Sequence, residues 1–150
     1  MFCTVLDYGL GERIGCSHFV SVGSMMDVDF ADLIDYFGND RDVSSILLYI
    51  EGLRETRKFL SAARAVSRIK PIIVLKSGRS QAGAAAAQSH TGALAGEDLV
   101  YDAAFKRAGI IRANMLVDLF SCADLLDKQT LPQGPNMAII TGAGGLGVMM

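Results

Sequence analysis

Residues 46–75 read ILLYIEGLRETRKFLSAARAVSRIKPIIVL. The apolar run Ile46–Ile50 opens this stretch and a second, Ile72–Leu75, closes it. Between them Phe59, Leu60, Ala63 and Val66 recur at the spacing of one helix face, and Lys70-Pro71 stops the helix from continuing. Strands that are apolar throughout, rather than alternating, are buried on both faces, as in a parallel sheet with helices above and below. The stretch is one βαβ unit.

The same alternation extends in both directions. Upstream, Phe30, Leu33, Ile34 and Phe37 share a helix face, with Asp27 or Asp29 placed to cap its start and Gly38 to end it. Cys3–Leu10 is a further helical stretch. Downstream, a helix over Glu97–Ala108 ends at Gly109, a residue suited to a left-handed C-cap. Leu116, Leu119, Phe120, Ala123 and Leu126 mark another helix. Additional strands are expected at His18–Val22, Ile110–Ile111 and Met137–Ile140. The fold class is α/β: a flavodoxin-like, doubly wound, mostly parallel sheet in a three-layer αβα arrangement. Such sheets bind ligands at the carboxyl ends of their strands, so the loops after Val22, Ile50, Leu75 and Ile140 are where a site belongs.

Composition narrows the function. A chain of 150 residues makes about one domain. Its 14 basic and 16 acidic side chains leave a net charge of −2, with no basic stripe for nucleic acid or an anionic membrane. No apolar run reaches the roughly 18–20 residues of a membrane span, and Met1-Phe2-Cys3-Thr4 does not open a signal peptide. Cys3, Cys16 and Cys122 are scattered, without CxxC spacing, which fits reduced thiols and a cytoplasmic location. Mean hydropathy is +0.33, high for a chain this small. It is explained by strands buried on both faces together with surface that meets another domain, and it is consistent with a homo-oligomer. Leu131-Pro132-Gln133-Gly134-Pro135 reads as a linker. A domain over 1–131, cut at its N-terminus, is therefore expected to precede a segment 132–150 holding the linker and the truncated start of an adjacent domain.

The chemistry concentrates in SGRSQAGAAAAQSHTGALAG, from Ser77 to Gly96, where Arg79 and His90 are the charged or titratable side chains. So many small residues pack little apolar area, and the stretch is expected to be a mobile loop with one alanine-rich helical turn. A sterically open imidazole can act as a nucleophile and take up a phosphoryl group near neutral pH. It then needs a carboxylate on its other ring nitrogen and oriented N–H donors for the added charge. Glu51, at the end of the Ile46–Ile50 run, is the candidate carboxylate, and the glycines Gly142, Gly144, Gly145 and Gly147 are candidate donors. A lone loop histidine can equally be a solvated surface group, and a strand-end glutamate can equally cap a helix; the residues leave both open. His18 has no partner at metal spacing and is structural. Gly142-x-Gly144-x-x-Gly147 matches GxGxxG, a weak dinucleotide signal on its own. No Walker A, GxSxG or HExxH motif occurs.

From Lys70 to Arg112 the sequence KPIIVLKSGRSQAGAAAAQSHTGALAGEDLVYDAAFKRAGIIR resembles the phosphohistidine region of the ADP-forming acyl-CoA synthetases, relatives of the succinyl-CoA synthetase α-subunit. Ser17–Phe37 and Ile46–Arg64 resemble earlier units of the same domain, and Asn136–Val148 the opening of the next. The resemblance implies an acid–CoA ligase that couples acyl-CoA, ADP and phosphate to acid, CoA and ATP. By it, His90 is the phosphorylated histidine, Glu51 in YIEG orients its ring, and Ser89, Thr91 and Gly92 support the loop. The backbone at Gly142, Ala143, Gly144 and Gly145 is similar to the start of one of two helices whose N-termini hold the phosphoryl group. Phosphate and acyl phosphate are the implied ligands. CoA, ATP or ADP and Mg²⁺ belong to the whole enzyme, through a CoA-binding domain and an ATP-grasp domain, and no cofactor or metal is expected on this stretch itself. The alternative is a regulatory acyl-CoA- or nucleotide-binding domain in an acetyltransferase-linked protein.

Overall fold

The computed structural model describes residues 2–12, 14–79, 98–130, 134, 136, 138 and 140–142. Within them the elements are α1 (Phe2–Gly11), α2 (Phe30–Gly38), β1 (Ile46–Ile50), α3 (Thr56–Val66), β2 (Ile72–Lys76), α4 (Asp98–Ala108), β3 (Ile111–Ala113) and α5 (Leu116–Lys128). The strands form one sheet in the order β1-β2-β3. Both pairings are parallel, with Ile46 opposite Ile72 through Ile50 opposite Lys76, and Ile73 opposite Ile111 through Leu75 opposite Ala113.

All five residues of the middle strand β2 are buried: Ile72 to Leu75, as their unbroken apolar run requires, and Lys76 after them. Its alternate side chains serve two cores. Ile72 and Val74 join Ile46, Leu48 and Ile50 of β1, Ile34 of α2, Phe59 and Ala63 of α3, and Phe105 of α4. Ile73 and Leu75 join Ala113 of β3 with Leu119 and Ala123 of α5. Phe59 and Phe105 meet edge-on, their ring centres 6.3 Å apart. Each such side chain contributes about 1.5–3 kcal/mol by leaving water. On the second face, Tyr8 of α1 lies against Phe120 of α5, ring centres 5.3 Å apart. Helices thus cover both faces of a flavodoxin-like α/β sheet.

Local chemistry sets the helix ends. Asp29, not Asp27, caps α2: its Oδ1 accepts the backbone N–H groups of Ala31 (2.8 Å) and Asp32 (3.1 Å), while the Asp32 carboxylate accepts that of Asp29 (3.0 Å). Gly38 ends α2 where it crosses α3, and a Cβ there would stand 2.5 Å from Val66 Cγ2. Helix α4 closes on Gly109 at φ +72°; the Gly109 N–H reaches Lys106 O and the Ile110 N–H reaches Phe105 O, the paired bonds of a Schellman stop.

Three strand expectations need correction. His18–Val22 is not a strand of the sheet; its residues run as irregular backbone, with Phe19 and Val20 exposed at 43% and 48%. A short apolar run supplies strand propensity but no partner edge, and here Ser17, His18 and Ser21 interrupt it with polar groups. His18 instead lies against Phe37, the rings tilted and their centres 5.0 Å apart. The strand expected at Ile110–Ile111 begins one residue later and runs to Ala113, because Ile110 is held by the helix stop. Of Met137–Ile140, Ala138 and Ile140 are described and neither is in a strand; Met137 and Ile139 lie outside the described residues. One expected source of the excess hydropathy is seen in the wholly buried β2; Met26, Leu99 and Val100 are apolar side chains that stand exposed.

Candidate functional site

The carboxyl edge of the sheet is built where β1 and β2 stop together. Ladder pairing ends at Ile50 and Lys76, and one further bond, from the Ser77 N–H to Ile50 O (2.9 Å), carries the contact past both strands. This fixes the backbone next to Glu51, which is partly buried at the tip of β1, just before the buried Gly52. The loop after Glu51 is tied to the one before α2, because Arg54 Nη1 donates to Ser24 O at 3.2 Å. Lys58 bridges the Asp29 and Asp32 carboxylates. Its hydrogen bond to Asp32 holds that carboxyl below the usual 3.8 and lifts the ammonium above the usual 10.5. Two of the loops expected at the site therefore do meet.

Lys76 is the surprise at this edge. It is 3% exposed, its ammonium donates to Ser77 O, and its Nζ lies 4.8 Å from the centre of the Tyr101 ring. Burial pushes its pKa below 10.5; the Asp98 carboxylate pulls it back up, Arg112 depresses it further, and Glu51 raises it. Beside it, Arg79 Nε stands 3.5 Å from Asp98 Oδ2, and Arg79 Nη1 donates to Asn114 Oδ1 at 2.6 Å. Arg112 of β3 is bonded to the other Asp98 oxygen and to Asp102 Oδ1 at 3.1 Å. The edge thus holds the Glu51 carboxylate just past β1, the buried Lys76 at the end of β2, and beside them Arg79 and Arg112 sharing Asp98, with Arg112 also on Asp102.

The remaining expected site residues divide as follows. His90, Ser89, Thr91 and Gly92 lie outside the described residues, as do Ala143, Gly144 and Gly145. Gly142 is described and exposed, with nothing among the described residues within 4 Å of where its Cβ would stand. Glu51 is brought to the sheet edge with Lys76, and the backbone at Arg79 and Asp98 marks where the His90 segment leaves and returns. No group of three His, Cys, Asp or Glu side chains among the described residues is placed to hold a metal ion. None of the described helices is long and apolar enough to cross a membrane.

Residues 1–126 match the family described as succinyl-CoA ligase like flavodoxin domain. The chain belongs to that family. This flavodoxin domain is 51% identical over 138 residues to the α-subunit of acetate–CoA ligase [ADP-forming] I from Pyrococcus furiosus, covering 92% of the chain and 30% of the relative. It is 48% identical to acetate–CoA ligase [ADP-forming] from Methanocaldococcus jannaschii, covering 97% of the chain and 20% of that protein. Among solved structures it is similar to the dinucleotide forming acetyl-coenzyme A synthetase 1 of Ca. Korarchaeum cryptofilum in complex with phosphate and ADP. That match has a TM-score of 0.88 and 41% identity, over 97% of the chain and 32% of that structure. The domain therefore spans about a third or less of the length of these relatives.

Sequence reasoning passed over Lys76, Arg112, Asp98, Tyr101 and Asn114. A signal for Lys76 was present: a charged residue directly after an apolar run falls at a buried strand's carboxyl end, where ligands gather. For Arg112 the signal was a cation inside the last apolar run. Arg79 stands out in the small-residue stretch, but its partners are 19 and 35 residues away in sequence and no local pattern links them.

Proposed function

We propose that this chain is the phosphohistidine-bearing domain of an acid–CoA ligase that couples acyl-CoA, ADP and phosphate to acid, CoA and ATP. One observation carries the reading. Glu51 stands at the tip of β1, on the same edge from which the segment carrying Ser89-His90-Thr91-Gly92 departs at Arg79 and to which it returns at Asp98. The high identity to ADP-forming acetate–CoA ligases supports it.

The chemistry asked of these residues is limited and balanced. An imidazole nitrogen of His90 forms a bond to phosphorus as the bond from phosphorus to the acyl oxygen breaks, and the acid leaves as carboxylate. Transfer to ADP reverses the same exchange, with the nitrogen–phosphorus bond breaking as ATP forms. Glu51 accepts the hydrogen bond of the other ring N–H, fixing the tautomer and steadying the positive ring. The amides at Gly142, Ala143, Gly144 and Gly145 receive the phosphoryl oxygens; a helix N-terminus acts as roughly half a positive charge there. Ser89, Thr91 and Gly92 shape the loop around the ring. CoA, nucleotide and Mg²⁺ are assigned to the CoA-binding and ATP-grasp domains of the whole enzyme. The family match ending at residue 126 supports a domain over 1–131 with the next one opening after it.

The test is to incubate the full-length protein with ATP labelled on its terminal phosphate and Mg²⁺. An acid-labile, base-stable label that disappears in His90→Asn is expected. Label that persists in that variant overturns the assignment. Glu51→Gln is expected to lower labelling by about tenfold or more, in line with a lost hydrogen bond to a charged group, while leaving the melting temperature within a few degrees.

A further inference from the structure

Lys76 ends β2 with a charge inside the core. Among the described residues it is the one charged side chain that is buried, at 3% exposure. Its partner across the ladder is Ile50, the last residue of β1 and the one before Glu51. From this position the ammonium turns forward and donates to the carbonyl of Ser77, the next residue along. Ser77 in turn holds the neighbouring strand twice: its N–H donates to Ile50 O at 2.9 Å and its hydroxyl to the same oxygen at 3.4 Å. That oxygen belongs to the peptide group leading into Glu51. A short chain of hydrogen bonds thus connects the buried charge to the plane of the Ile50–Glu51 peptide.

Two features make this connection firm. A charged donor binds a carbonyl roughly twice as strongly as a neutral one, and the low local dielectric of a buried site strengthens the bond further. The ammonium is also confined. Its Nζ stands 4.8 Å from the centre of the Tyr101 ring, Asp98 and Glu51 attract it, and Arg112 repels it. On the far side of Glu51 the chain is fixed again: Gly52 is buried, and Arg54 Nη1 donates to Ser24 O at 3.2 Å. Glu51 therefore sits between two held neighbours.

We propose that Lys76 is a positioning residue for Glu51: through the Ser77 carbonyl its ammonium holds the Ile50–Glu51 peptide, and with it the direction of the Glu51 Cα–Cβ bond at the tip of β1. The hold is a matter of β1, β2 and Tyr101 alone. What the Glu51 carboxylate then does in the reaction rests on the ligase reading above. Lys76 acts through the backbone and is not asked to touch a reacting atom.

The experiment uses the full-length protein with Lys76→Met, which keeps the length of the side chain and removes the charged donor. Lys76→Leu serves as a second apolar variant should the first fold poorly, and each is also combined with Glu51→Gln. The first readout needs no phosphoryl chemistry: amide hydrogen exchange of a peptide spanning Tyr49 to Arg54, against one from α2. Faster exchange in the first peptide and not in the second is expected; unchanged exchange in the first overturns the hold. The second readout is the single-turnover rate of acid-labile labelling from ATP. About a tenfold loss is expected in the apolar variants, as for a lost hydrogen bond to a charged group. In the Glu51→Gln background the same substitutions are expected to cost less than about twofold, because the carboxylate they position is already gone. A wild-type rate overturns the positioning role, and so does an equal loss in both backgrounds, which is what a merely structural defect would give. Lys76→Arg keeps a charged donor and is expected to recover most of the lost rate; no recovery means that the donor is not what matters and overturns the role as well. Absence of label in the wild type would count against the ligase reading alone, since hydrogen exchange judges the hold without it.

Discussion

Lys76 places a nearly solvent-free ammonium where β2 runs out, over the face of Tyr101 and within the field of Glu51 and Asp98. Its pKa is below the ordinary 10.5, chiefly because burial penalises the charge. The unfolded chain therefore holds more protons than the folded one between the lowered value and 10.5, and the contribution of this residue to stability rises with pH across that window. Replacing a buried charge by an apolar group of similar length is commonly stabilising, so Lys76→Met is expected to raise the free energy of unfolding by about 1 kcal/mol at neutral pH. The advantage should shrink as pH approaches the ordinary lysine value. Urea unfolding of both proteins at several pH values measures this; a variant equally stable or weaker at neutral pH means that the Tyr101 face and the two carboxylates outweigh burial.

At the scale of elements, packing decides how much freedom each one has. Helices α2 and α3 meet at Gly38 and Val66, with no room for a methyl group between them. Gly38→Ala is accordingly expected to cost about 1–3 kcal/mol through forced repacking, although alanine is the better helix former. A melting temperature equal to or above wild type would show that Val66 rotates away freely. The elements readable in the sequence were those whose signals are local: the apolar runs of β1 and β2, the Asp29 cap, the helix face of Phe30 to Phe37, and the left-handed Gly109. Others were not. Strand pairing is a relation between distant segments, so Phe19-Val20 carried strand propensity without a neighbour to join. The site was legible by half for the same reason. Glu51 follows from strand polarity alone, whereas the links of Arg79 to Asp98 and Asn114 exist only once β3 is laid beside β2.

On the scale of the whole molecule, the sheet divides labour between two cores and one rim. The chain spans 30% of its Pyrococcus furiosus relative, and its described residues hold no metal-binding cluster. On the ligase reading proposed above, nucleotide chemistry is assigned to the ATP-grasp domain of the whole enzyme. The 150-residue chain, purified alone and incubated with labelled ATP and Mg²⁺, should take up no label while the full-length protein does. Label on the isolated chain would place a nucleotide site within it. Because all three described strands point the same way, the opposite rim, with its turns at Asn39–Val43 and Ser67–Lys70, is left to join elements and carries none of the candidate chemistry. A five-residue strand separates the two rims by about 17 Å. The exposed Arg68 is thus a natural attachment point for a fluorescent reporter, close enough to sense what happens at the far tips and distant enough to leave it undisturbed.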